Sequence, residues 1–265
     1  VNAGSAAEQL LRQFSEQQVA GFFLVLARVS PLFVFAPMFS SRLVPARVRG
    51  LVAVALTIGI APVVVGSTHI PTGGMELGGL VLKELLIGFG FAYVIGALFA
   101  AISVAGTFLD TLIGFSYGSL IDPINGTNTT VLNQFYSMMG LLIFIVIGGD
   151  AWVIEGMART YDVVGLLDMP NVNSLIAGAD RAFVNIFAAA VELAGPVMLA
   201  LILCDVAFGM VSRLAPQLNV FIVGFPVKVI VGLALIGVTL PFVGGWIADE
   251  VQVSVSQALM ALKLA

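Results

Sequence analysis

Charged side chains stand inside stretches of this sequence that are otherwise apolar, and they are the first place to look for chemistry. Arg28 lies within the first such stretch, Lys83 and Glu84 lie early in the third, Glu192 and Asp205 lie in the fifth, and Lys228 lies in the sixth. A charge held at the centre of a bilayer costs on the order of 2.5–3.5 kcal/mol on insertion scales. Both signs are present, so pairing recovers much of that cost. Three roles suit such residues: pins between helices or groups snorkelling from helix ends, a relay for protons or ions, and pins against partner subunits.

Enzyme chemistry finds few parts. His69 is the one histidine and Cys204 the one cysteine, which removes an internal disulfide, a thiolate metal cluster and paired-histidine catalysis. No nucleophile elbow, phosphate-binding glycine loop or metal-ligand helix pattern occurs. The expectation is a protein that is not an enzyme and carries no cofactor.

Two interrupted segments stand out instead. In "GTFLDTLIGFSYGSLIDPINGTNTT", Gly106 to Thr130, glycines alternate with large apolar residues, and Asp122-Pro123 favours a turn. Irregular backbone at membrane depth is tolerated only where protein buries it or where it lines a cavity. A flexible segment bearing Phe108, Ile113, Phe115 and Tyr117 suits a displaceable plug; an ordinary interhelical loop is the competing reading. In "RLAPQLNVFIVGFPVK", Arg213, Pro216, Gln217, Asn219, Gly224, Pro226 and Lys228 break the chain between two long apolar runs. So much polar and helix-breaking chemistry exceeds what a simple turn needs.

The elements that must position these residues are helices. Of 265 residues, 60% are hydrophobic and 10% charged, against about a quarter charged in a soluble domain. Mean hydropathy is +1.10. Lipid or apolar protein is therefore the expected surrounding, and a net charge of −4 without a basic run argues against nucleic acid as a partner. Six apolar stretches emerge, at Val19–Phe39, Leu51–Val65 (starting as early as Leu43), Leu77–Leu109, Val131–Ile147, Phe183–Val211 and Val220–Ile247. A spanning helix needs about 20 apolar residues, and a membrane barrel would show alternating segments of about 10. The fold class is all-α, a helical integral membrane protein with some helices broken or re-entrant. Gly88, Ala92, Gly96 and Ala100 draw a small-residue stripe down the third stretch that permits close helix approach. Residues 149–181 gather Asp150, Glu155, Arg159, Asp162, Asp168, Asp180 and Arg181, and read as the main aqueous or interfacial region. Arg42, Arg47 and Arg49 vote for a cytoplasmic loop between the first two stretches. The amino-terminal residues read as an amphipathic lead-in without a secretory signal pattern, and nothing divides the chain, so one domain is expected over 1–265. A small-solute secondary transporter is the alternative class, although the internal repeat common in that class is not found.

The stretch from Arg213 to Lys228 closely resembles the carboxyl-terminal signature of the FliR family, export-gate subunits of flagellar and virulence type III secretion systems. "ARVSPLFVFAPMFSSRLVPARVR" and "KELLIGFGFAYVIGALFAA" are similar to that family's start and third helix, in the expected order. The resemblance implies a non-enzymatic subunit in the bacterial inner membrane that assembles with FliP and FliQ, meets FlhB and helps unfolded flagellar proteins pass. It implies a core raised from ordinary membrane depth. It places the family's plug loop on 106–125, with Phe108, Ile113, Phe115, Tyr117, Asp122 and Pro123 as gate residues. Asp110 departs from the apolar or glycine character of that seal. Arg28, Glu84, Glu192, Asp205, Arg213, Gln217, Asn219 and Lys228 are the expected structural or inter-subunit polar residues.

Overall fold

The computed structural model describes residues 16–40, 44–66, 70–71, 73–116, 131–217 and 219–263, and every regular element among them is an α-helix. In chain order these are α1 (Glu16–Val29), α2 (Leu32–Phe35), α3 (Pro37–Ser40), α4 (Ala46–Val65), α5 (Gly74–Ile113), α6 (Val131–Val146), α7 (Gly149–Val163), α8 (Val172–Leu214) and α9 (Val220–Lys263). Among the described residues, five spans are long and apolar enough to cross a membrane, or six if the bent pair α6 and α7 counts as one. The all-α membrane class read from composition stands.

Helix ends differ from the apolar stretches in an instructive way. The first stretch is not one helix: Pro31 and Pro37 divide it into α1 and two single turns, because proline lacks an amide donor and disfavours helix in the residue before it. Elsewhere the helices outrun the stretches. Helix α8 starts at Val172, and α9 continues to Lys263 through Asp249 and Glu250. Charged residues stop a hydropathy window without stopping a helix. Residues 149–181, expected as the main aqueous or interfacial region, are largely helical: they comprise α7, a tight turn and the first turns of α8, with Val153, Met157, Thr160, Val164 and Leu175 buried. Likewise α5 runs unbroken through Gly106 to Ile113, so the interruption read at Gly106 begins only at Gly114, where φ is +105°.

The chain forms two compact units. The first comprises residues 1–96, 151–180 and 254–265. There α1 packs along α4, and Gly21 of α1 faces the Val65 side chain closely. Gly156 of α7 sits against Phe91 and Val255, while Gly178 of α8 meets Ala261 of α9. Ile87, Val164, Leu175 and Leu262 form an apolar cluster at this packing. The small-residue stripe does the work predicted for it at two positions. A Cβ on Gly88 would lie 2.0 Å from the Arg28 carbonyl oxygen, and one on Gly96 would lie 3.1 Å from that of Phe35.

The second unit comprises residues 97–150 and 181–253. Gly140 of α6 receives Ile102 of α5, and Phe99 meets Phe144 edge-on at 5.2 Å. Gly232 of α9 accommodates Ile113 and Leu201.

Gly88→Ala therefore forces backbone against backbone, and overpacking of this kind costs about 1–3 kcal/mol. Gly78→Ala, on the same helix with nothing within 4 Å of the added carbon, serves as its control. Thermal unfolding of the two purified variants should show a lowered midpoint for the first and none for the second.

Candidate functional site

Two constellations are built from polar groups, one in each unit. In the first unit, Arg28 is fully buried near the end of α1. Its guanidinium forks onto the Glu84 carboxylate of α5, through Nε to Oε2 and through Nη2 to Oε1 at 3.0 Å. A bidentate fork is the strongest geometry open to this pair. The remaining donor, Nη1, reaches Thr160 Oγ1 at 3.3 Å and the Val164 carbonyl at 2.9 Å. The guanidinium carbon stands 4.0 Å from the centre of the Tyr161 ring, a cation–π contact.

Lys83 adds a second cation. Its Nζ lies 2.9 Å from Glu84 Oε1 and also donates to the carbonyls of Gly165, Leu166 and Asp168. Two cations thus share one carboxylate. The surplus positive charge is met by carbonyls just beyond the carboxyl end of α7, where the helix dipole is negative. Asp168 shapes that turn, since Gly165 N donates to its Oδ2 at 3.1 Å and Asp168 N donates to the Gly165 carbonyl at 3.2 Å.

In the second unit, Asp110 is fully buried on α5. Leu132 N donates to its Oδ1 at 3.0 Å and Asn133 N to its Oδ2 at 2.9 Å. Asp110 is thereby an amino-terminal cap for α6, supplied by a different helix, and it satisfies amides that have no partner within their own helix. Asn133 returns the link by donating through Nδ2 to Ser103 O, Ser103 Oγ and Thr107 Oγ1 at 2.8–3.0 Å. Gly106 makes this possible, because a Cβ there would stand 2.7 Å from the Asn133 Cα. The end of α5 and the first turn of α6 are thereby pinned to one another.

Of the residues expected to form a gate, Phe108, Ile113 and Phe115 lie on or just after α5. Phe108 is half-buried on α5, Ile113 is buried against Gly232, and the Phe115 ring meets Phe225 edge-on at 6.4 Å. Tyr117, Asp122 and Pro123 lie outside the described residues. At the α8–α9 connection, Asn219 accepts from Ile222 N through its carbonyl at 3.0 Å and its side-chain Oδ1 at 3.4 Å, which starts α9. Arg213 sits in the last turn of α8, favourably placed for that helix's dipole, and Gln217 is exposed. Lys228 pairs with Asp205 at 2.8 Å. Glu192 is exposed on α8.

Sequence reasoning singled out Arg28, Glu84, Asp205 and Lys228 and described pairing only in general. It missed Thr160, Tyr161, Asn133 and the carbonyls of 164–168, because backbone acceptors leave no mark in a sequence. Asp110 did carry a signal: a carboxylate in a long apolar helix requires a donor set somewhere.

These features define a multi-pass helical membrane protein whose spans are stitched by buried charges and helix-end dipoles. Residues 19–253 match the family described as bacterial export proteins, family 1, and the chain belongs to that family. It is 30% identical over 237 residues to the flagellar biosynthetic protein FliR of Escherichia coli K12, covering 88% of this chain and 90% of that one. The Bacillus subtilis FliR is 32% identical over 228 residues, covering 81% and 84%. The surface presentation of antigens protein SpaR of Shigella sonnei is 28% identical over 225 residues, covering 80% and 82%.

Glu84→Gln leaves Arg28 and Lys83 buried without a counter-ion, a change that costs about 3–5 kcal/mol. It should abolish accumulation of the folded chain in membranes, measured by immunoblot, whereas Asp205→Asn should not. Asp110→Ala should lower the thermal midpoint by the equivalent of about 1–2 kcal/mol, with Asp110→Asn retaining most of the cap.

Proposed function

We propose that this chain is a subunit of the flagellar type III protein-export gate in the bacterial inner membrane, and that it is not an enzyme. Together with FliP and FliQ it forms a passage for unfolded flagellar proteins, and it meets FlhB at that assembly. Family membership and the flagellar relatives support the export role. The observation that carries the assembly is helix length. With a rise of 1.5 Å per residue, the 40, 43 and 44 residues of α5, α8 and α9 run to about 60–66 Å, twice the hydrocarbon thickness of about 30 Å. Yet α8 exposes large apolar side chains from Val172 to Leu214, and α9 from Ile222 to Met260. Lipid can cover only about half of such a length, so protein must cover the rest. Partner subunits with apolar helical faces fit that need.

Within this reading, 106–125 acts as the seal of the passage. Phe108, Ile113 and Phe115 stand at its pinned base, and Tyr117, Asp122 and Pro123 follow. Glu192, Arg213 and Gln217, exposed and without an ion pair among the described residues, are the polar groups left for partner contacts.

Co-expression with FliP and FliQ, followed by purification through a tag on this chain alone, should yield a stable complex of defined mass. A well-behaved isolated monomer would overturn the proposal. Replacing Phe115 with Ala in the reconstituted complex should raise ion leakage across vesicles, and unchanged leakage would remove the seal assignment while leaving assembly intact.

A further inference from the structure

Two buried cations are spent on one short turn. Between α7 and α8, four of the five carbonyls from Val164 to Asp168 accept from Arg28 or Lys83. The turn also closes on itself, since Asp168 N donates to the Gly165 carbonyl and Asp168 Oδ2 accepts from Gly165 N. Asn171 then starts α8, its Oδ1 accepting from Asn173 N and Ser174 N. A backbone held from inside at so many points has little freedom left to lose on binding.

What the turn presents outward is apolar. Leu167, Met169 and Val172 are exposed within six residues, Met169 to 82%. Exposed apolar side chains scattered singly are ordinary, whereas a group of them on a rigid support marks an interaction site. The charges around the group select the partner. Residues 160–180 contain Asp162, Asp168 and Asp180 and no lysine or arginine, and all three carboxylates are exposed. Arg159, the one basic residue of α7, is paired with Glu155 at 2.6 Å, and Lys83 is buried behind the turn. Apolar groups that seat among lipid headgroups are flanked by Lys, Arg, Trp or Tyr, and anionic lipid repels carboxylates. A protein surface bearing basic residues complements them.

We propose that the α7–α8 turn is a docking knob for a protein partner: Leu167 and Met169 enter an apolar recess, and Asp162 and Asp168 meet lysine or arginine at its edge. The buried charges of Arg28 and Lys83 then serve binding as well as folding, because they hold the knob in one shape before the partner arrives. The inference does not depend on the gate reading. Isolation of this chain without FliP and FliQ would sink that reading and leave the knob standing.

The test replaces Met169 with photo-reactive p-benzoylphenylalanine in the full chain, made at native level in its own host. After irradiation, mass spectrometry identifies the cross-linked peptide. The expected result is one discrete protein adduct whose peptide carries lysine or arginine within a few residues of the cross-link. Its yield should fall several-fold in Leu167→Ser and in Asp162→Lys, with the amount of the chain in membranes unchanged. Asp162→Asn keeps the charge test readable should Asp162→Lys fail to accumulate, and it should lower the yield less than the reversal. Adducts to lipid alone, a peptide without basic residues beside the cross-link, a yield indifferent to the charge at 162, or no adduct at all would each overturn the proposal.

Discussion

A fully buried arginine needs its charge answered on every side, and the arrangement around Arg28 shows how few residues suffice. Glu84 and Gly88 are one helical turn apart on α5, so they share a face. Gly88 removes the side chain that would hold α1 away, letting the Arg28 backbone settle against α5. Glu84 then grips the guanidinium of that same residue. Close approach and ion pairing are one device: either alone would leave an unpaired charge or a gap. The Val164 carbonyl and Thr160 bring the end of α7 into the same contact, so three segments distant in sequence meet at one side chain.

The two buried constellations follow a common economy. A chain with 10% charged residues has few counter-ions to place. Lys83 is answered largely by carbonyls following α7, and Asp110 by amides starting α6. In each case a helix end substitutes for an opposite charge. Such groups are already present in every helix, and in an apolar environment they would be costly if left unsatisfied. Using a side-chain charge to satisfy them resolves both deficits together.

Much of this was legible in the sequence, and the limits have physical causes. Composition and run length identify helices in an apolar environment, and the small-residue stripe identifies the close face of α5. Helix ends were misplaced wherever a charged pair such as Asp180 and Arg181 interrupted an apolar run, because hydropathy reports surroundings and helix continuity depends on backbone bonding. Gly106 reads as a breaker from its lack of a side chain, yet the same lack makes it the contact for Asn133 inside an unbroken helix. Which charge meets which was not legible, since most partners are tens of residues apart and half of the acceptors are backbone atoms.

The separation of those partners in sequence imposes an order on how the chain is made. Glu84 follows Arg28 by 56 residues and the Val164 carbonyl follows it by 136. At ribosomal rates of about 5–20 residues per second, about 7 to 27 seconds pass between synthesis of Arg28 and of its last acceptor. Until Glu84 is made the arginine has no counter-ion, and until the end of α7 follows, its Nη1 lacks the partners it has in the finished fold. The earliest of the described helices is thus among the last to have its buried charge fully answered.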